Sequence, residues 1–117
     1  MTVAVLGTGL IGGSIGLALT KAGMTVRGFD AQPVVAERAC EMGAIESVSG
    51  SVAEAVAGAD VVIVAAPVGR VAELVIAALD AGATAVTDVG SVKAAVLNAV
   101  KTARPDRKST RLNSSHG

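Results

Sequence analysis

Six residues near the start of the chain, Gly7-Thr8-Gly9-Leu10-Ile11-Gly12, space three glycines as G-x-G-x-x-G. The string carries chemistry only when a strand runs into it and a helix leaves it. Here Thr2–Leu6 (TVAVL), rich in β-branched residues, reads as the strand, and Leu10–Ala22 reads as the helix, with Gly23 as its C-cap. In that setting Gly7 permits a tight turn. Gly9 lets the backbone approach a pyrophosphate that any Cβ would push away, and Gly12 lets the helix pack closely on the strand. The first turn at Leu10 and Ile11 offers free N–H groups and the positive end of the helix dipole to phosphate oxygens. A glycine-rich strand–helix turn without a ligand is the plain alternative.

A second residue fits the same chemistry. Asp30 ends the next apolar segment, Thr25–Phe29, and stands 18 residues beyond Gly12. An acid at about that spacing accepts hydrogen bonds from the ribose hydroxyls of a bound dinucleotide. It also repels a 2′-phosphate, and the residues that follow, Ala31 and Gln32, include no arginine to hold one. The expected cofactor is therefore NAD, with NADP the weaker candidate. The plain alternative for Asp30 is the N-cap of the helix that Pro33 begins, and the two roles are compatible.

These residues need a scaffold, and the rest of the chain supplies its pattern. A helix is expected from Pro33 to about Met42, stopped by Gly43, with a very short strand at Ala44–Ile45. Ser51 can cap a helix over Val52–Ala57, with Glu54 completing a capping box. Asp60–Ala66 (DVVIVAA) is a continuous apolar strand stopped by Pro67. A helix over Gly69–Ala81, a strand over Thr84–Val89 and a helix over Val92–Ala103 follow. Alternating strands and helices imply parallel pairing with right-handed crossovers, and a continuously apolar strand implies a sheet covered on both faces. The expected architecture is a truncated, doubly wound α/β fold, a Rossmann-type parallel sheet of about five strands in the order 3-2-1-4-5.

Composition narrows the partners. Of 117 residues, 51% are hydrophobic and 17% charged, which argues against disorder over most of the length. Phe29 is the one aromatic residue, so stacking platforms for single-stranded nucleic acid are absent. The formal net charge is zero, which gives no reason to expect nucleic acid or an anionic membrane. That balance conceals six basic against nine acidic side chains up to residue 103, and four basic against one acidic beyond it. No apolar run approaches the roughly 20 residues of a membrane span. The start lacks a signal peptide's charged leader, and the single cysteine, Cys40, allows no intrachain disulfide. A cytoplasmic setting is expected.

Longer strings go beyond the general fingerprint. Leu6-Gly7-Thr8-Gly9-Leu10-Ile11-Gly12-Gly13-Ser14, Ala65-Ala66-Pro67-Val68 and Thr87-Asp88-Val89-Gly90-Ser91-Val92-Lys93 together resemble the prephenate/arogenate dehydrogenase family, over residues 2 to about 106. The resemblance implies oxidation of prephenate, or its amino analogue arogenate, in tyrosine biosynthesis. Hydride passes from the ring carbon bearing the hydroxyl to the nicotinamide, and loss of carbon dioxide makes the ring aromatic. It implies that Ala66, Pro67 and Val68 run past the nicotinamide ribose, and that Ser91 lies beside the catalytic histidine and the nicotinamide. Ser91 also reads as the N-cap of the helix from Val92, and Lys93, which matches the family string, also reads as a solvated first-turn lysine. Asp88 is expected to shape the turn at its strand end. Arg70 reads as a surface residue of its helix.

The family's histidine sits in a G-G-H-P string that this chain lacks, and His116 has no matching neighbours. The substrate-binding arginines and the helical dimerisation domain are missing too. The expectation is an NAD-binding domain over residues 1–106 that is catalytically silent alone, from a parent that pairs as a homodimer through a further domain. Residues 107–117 read as a disordered tail resembling translated adaptor sequence, or as a genuine terminus. Severed there, the chain is expected to expose a sheet edge and apolar helix faces at Val71, Leu74 and Val75 or at Val96, Leu97 and Val100, and to self-associate. The alternatives are a β-hydroxyacid or pyrroline-carboxylate type oxidoreductase, which shares the first glycines and the proline, and a nucleotide-sensing module without chemistry.

Overall fold

The computed structural model describes residues 1–89. Gly90, Ser91, Lys93, the helix expected over 92–103, the apolar face at Val96, Leu97 and Val100, and the tail lie outside the described residues. Within them the order is β1 (Thr2–Leu6), α1 (Leu10–Lys21), β2 (Thr25–Phe29), α2 (Pro33–Glu41), β3 (Ser47–Val48), α3 (Val52–Val56), β4 (Val61–Val64), α4 (Val68–Asp80) and β5 (Val86–Asp88). The five strands form one parallel sheet in the order β3-β2-β1-β4-β5. This is the doubly wound arrangement expected from the alternating pattern.

The sheet is covered on both sides because β1 and β4 are apolar over Val3 to Leu6 and Val61 to Val64. Val3 to Leu6 are all buried, and a strand's side chains alternate between faces. Ala4 and Leu6, with Val62 and Val64 of β4, meet Ala55 and Val56 of α3 and Leu74 and Ala78 of α4. Val3 and Val5, with Val26 of β2, meet Ala39 of α2 and Leu17 and Leu19 of α1. Each fully buried Val or Leu contributes roughly 1.5–3 kcal/mol of transfer free energy. The register sets β1 between its neighbours, with Val3 opposite both Val26 and Val61.

Three details depart from the sequence pattern. The third strand is not Ala44–Ile45 but Ser47–Val48, paired with Arg27 and Gly28. Ala44 and Ile45 are apolar because they plug the core, not because they pair: the Ala44 carbonyl oxygen accepts from the Thr20 hydroxyl at 3.1 Å. The capping box at α3 is half as expected. Ser51 Oγ accepts the Glu54 N–H, but Glu54 Oε1 accepts from Gly50 rather than from Ser51. The face at Val71, Leu74 and Val75 is not uncovered: all three pack on the sheet, while Ile76 and Leu79 of the same helix are exposed.

One buried-side cation completes the scaffold. Arg27 of β2 lies opposite Ala4, and its Nη1 donates to the carbonyls of Glu54, Ala55 and Ala57 at the end of α3. A cation at a helix C-terminus meets carbonyls that have no intrahelical partner. Among the described residues, no helix is long and apolar enough to cross a membrane.

Candidate functional site

From β1 the chain winds one way to β2 and β3 and the other way to β4 and β5. The connections after β1 and β4 therefore leave on opposite faces, and a crevice opens between them at the carboxyl ends of the strands. A cleft of about 540 Å3 occupies this position. Its walls are the β1–α1 loop with Gly7 and Gly9, the β2–α2 loop with Asp30 to Gln32, and the β4–α4 loop with Ala65 to Pro67.

The three glycines of the loop answer to different neighbours. Gly7 has φ +97°, a conformation that side chains rarely adopt, and a Cβ there would lie 2.8 Å from the Ala65 carbonyl oxygen. A Cβ on Gly12 would lie 1.8 Å from the Gly7 carbonyl oxygen, so α1 can start this close to β1 only with glycine at that position. Gly9, the N-cap of α1, is different: a Cβ there would meet no protein atom within 4 Å. Packing does not require glycine at position 9, whereas close approach by a ligand does. Beside it, the first turn of α1 carries no acidic residue to compete with an anion.

Asp30 faces the same cleft and ties two of its walls together. Its Oδ2 accepts the backbone N–H of Thr8 at 2.8 Å and the Thr8 hydroxyl at 3.3 Å, and its Oδ1 accepts the N–H of Gln32 at 2.9 Å. It does not cap α2, whose N-cap is Gln32 without a side-chain bond. A carboxylate offers about four acceptor sites, so about one remains for a ribose hydroxyl, and the long bond from the Thr8 hydroxyl at 3.3 Å is the one a second hydroxyl would displace. The glycine loop is also held from below, where Gly7 N–H donates to the Phe29 carbonyl at 2.8 Å.

The other expected residues fall around this centre. Leu10 and Ile11 line the cleft as the first turn of α1, and Ala66 and Pro67 line it from β4–α4. Val68 opens α4 and is 92% exposed. Asp88 is the last residue of β5, in register with Val64. Gly12 lies behind the loop, buried at its packing contact. The sequence reading missed Thr8, which is buried and bonded to Asp30, and the cleft-lining role of Arg70. Arg70 is a surface residue of α4, as expected, yet it also forms part of the cleft wall, with its guanidinium held by Glu73 in two hydrogen bonds of 3.1 and 3.2 Å. Its place one turn after Pro67 was the available signal.

Comparison with known proteins agrees with this fold. The family described as prephenate dehydrogenase, nucleotide-binding domain, matches residues 15–110, beginning just beyond the glycine loop. The structure is similar to that of Synechocystis arogenate dehydrogenase, with a TM-score of 0.70 and 25% identity over 76% of this chain and 32% of that one. It is similar to prephenate dehydrogenase from A. aeolicus in complex with hydroxyphenyl propionate and NAD+, with a TM-score of 0.66 and 28% identity over 75% of this chain and 32% of that one. A probable 3-hydroxyisobutyrate dehydrogenase of Mycobacterium tuberculosis (strain ATCC 25618 / H37Rv) is 46% identical over 70 residues, 60% of this chain and 23% of that protein. The chain thus spans about a quarter to a third of the length of the proteins it matches.

Proposed function

The chain belongs to the prephenate dehydrogenase nucleotide-binding domain family, and we propose that it holds the NAD of a dehydrogenase acting on prephenate or arogenate. The observation that carries this reading is the position of Gly9. Its missing Cβ opens onto space at the N-terminus of α1, with the Asp30 carboxylate lining the same cleft. The backbone of Gly7, Gly9, Leu10 and Ile11 takes the pyrophosphate, with Gly12 allowing the close helix start. Asp30 accepts from the adenosine ribose hydroxyls, and its charge disfavours a 2′-phosphate. Ala66, Pro67 and Val68 flank the nicotinamide ribose.

A bound nicotinamide supplies the hydride acceptor. This chain's residues orient it and keep it at the crevice. Ser91 and Lys93 are the candidate contributors to the reacting end, with the substrate's carboxylates and hydroxyl held by groups beyond this domain. Residues 1–106 form the dinucleotide-binding unit. The domain alone binds cofactor without turnover. The whole enzyme works in the cytoplasm on a small-molecule substrate, as a homodimer joined through its other domain, in tyrosine biosynthesis.

The 46% identity to a probable 3-hydroxyisobutyrate dehydrogenase favours one second reading, a β-hydroxyacid oxidoreductase. An enzyme carrying this domain at its N-terminus separates the two. With NAD it is expected to oxidise prephenate or arogenate and to leave 3-hydroxyisobutyrate untouched. The reverse preference selects the second reading, and failure of the 117-residue chain to bind NADH by fluorescence titration removes both.

A further inference from the structure

Beside Gly9 and Asp30, the cleft is lined by Val35 of α2 and by Arg70 and Leu74 of α4. With the pyrophosphate at Gly9 and the ribose at Asp30, these residues are left to receive the base attached to that ribose. The chain has no Trp or Tyr to cover a base, and Phe29, its one aromatic residue, lines the cleft from the end of β2, on the side of Asp30. Arg70 supplies a planar group in that position. Glu73, which is not part of the cleft wall, grips the Nε and Nη2 edge of the guanidinium. That half-exposed pair favours one orientation of the plane and leaves its face unbonded, and an oriented guanidinium stacks on aromatic faces.

We propose that Arg70 forms a wall of the base subsite, laying its guanidinium face over the adenine, with Glu73 as the positioning residue. The inference rests on the dinucleotide reading of the cleft. It assigns the arginine to the base and not to a phosphate, because its charge is already matched by Glu73 at 3.1 Å.

The test is calorimetric titration of the 117-residue chain with ADP-ribose, at two salt concentrations. Arg70→Ala is expected to weaken binding roughly two- to five-fold, the scale of a partly exposed cation–π contact. Arg70→Lys, which keeps the charge but loses the plane, is expected to recover less than half of that loss. In wild type, nuclear Overhauser contacts are expected between the adenine protons and the Arg70 side chain. Unchanged affinity in Arg70→Ala overturns the proposal. So does full, salt-dependent rescue by Arg70→Lys, which would assign the residue to a phosphate. Absence of ADP-ribose binding by the unmodified chain overturns the dinucleotide reading itself, and this inference with it.

Discussion

The carboxylate of Asp30 accepts the backbone N–H of Thr8 at 2.8 Å, so the acid that follows β2 holds the glycine loop that follows β1. Thr8 is 3% exposed, and its N–H loses this acceptor when the carboxylate is removed. Asp30→Ala should therefore cost about 1–3 kcal/mol, the penalty for an unsatisfied buried donor. Loosening of the loop should weaken NADH binding at the same time. Chemical denaturation and NADH titration of the same variant check both halves; a variant as stable as wild type would show that the loop needs no such tie.

Cofactor choice should follow from the same residue. Replacing Asp30 with Ser removes the charge that repels a 2′-phosphate, and replacing Ala31, which also lines the cleft, with Arg adds a partner for it. The double variant should shift preference toward NADP. Competition between NADH and NADPH measures it, and equal affinity of the unmodified chain for the two would defeat the ribose role of Asp30.

Gly9 and Gly12 should separate binding from folding. Gly9→Ala meets no protein atom within 4 Å, so its stability should stay within about 0.5 kcal/mol of wild type. The same methyl should cost one or more phosphate hydrogen bonds, on the order of 1.5–3 kcal/mol or about tenfold or more in NADH affinity. Gly12→Ala places its Cβ 1.8 Å from the Gly7 carbonyl oxygen, and the cost should be about 3 kcal/mol or more in stability. Thermal melting beside NADH titration reads both effects; a Gly9→Ala chain that binds normally would leave the glycine without a ligand to explain it.

The strand order and the place of the site were legible because local signals agreed with the fold. The apolar runs at Thr2–Leu6 and Val61–Val64 are strands for the same reason that they are core: both faces are covered. The glycine string and Asp30 fall on adjacent parallel strands, so their loops meet. What the pattern hid were contacts that depend on tertiary approach. Ala44–Ile45 carries the apolar content expected of a strand, but Ile45 lies over Gly28 and fills the space that a side chain there would take. Thr8 is a variable position of the glycine string, and nothing in its spacing reveals a bond to a residue 22 positions away. Arg70 belongs to an exposed helical pattern, and only the packing of α4 turns it toward the cleft wall.

Helix α1 carries glycines at 12, 13 and 16, each costing about 0.5–1 kcal/mol relative to alanine in a helix interior. The neighbours decide which of these costs is necessary. At Gly16 a Cβ would lie 2.5 Å from the Ala44 carbonyl oxygen, the same oxygen that accepts the Thr20 hydroxyl. Backbone there cannot swing aside as a flexible side chain would, so Gly16→Ala should push α1 off the Ala44 turn and cost about 1–3 kcal/mol. At Gly13 the nearest atom to a new Cβ is the Thr8 carbonyl oxygen at 3.6 Å, an ordinary contact. Gly13→Ala should then recover the helical penalty and raise stability by about 0.5–1 kcal/mol. In a domain of this size that corresponds to a melting temperature higher by about 2–8 °C. Calorimetric melting of the two single variants tests the pair, and a loss of stability in Gly13→Ala would mean that α1 approaches its loop more tightly than these distances describe.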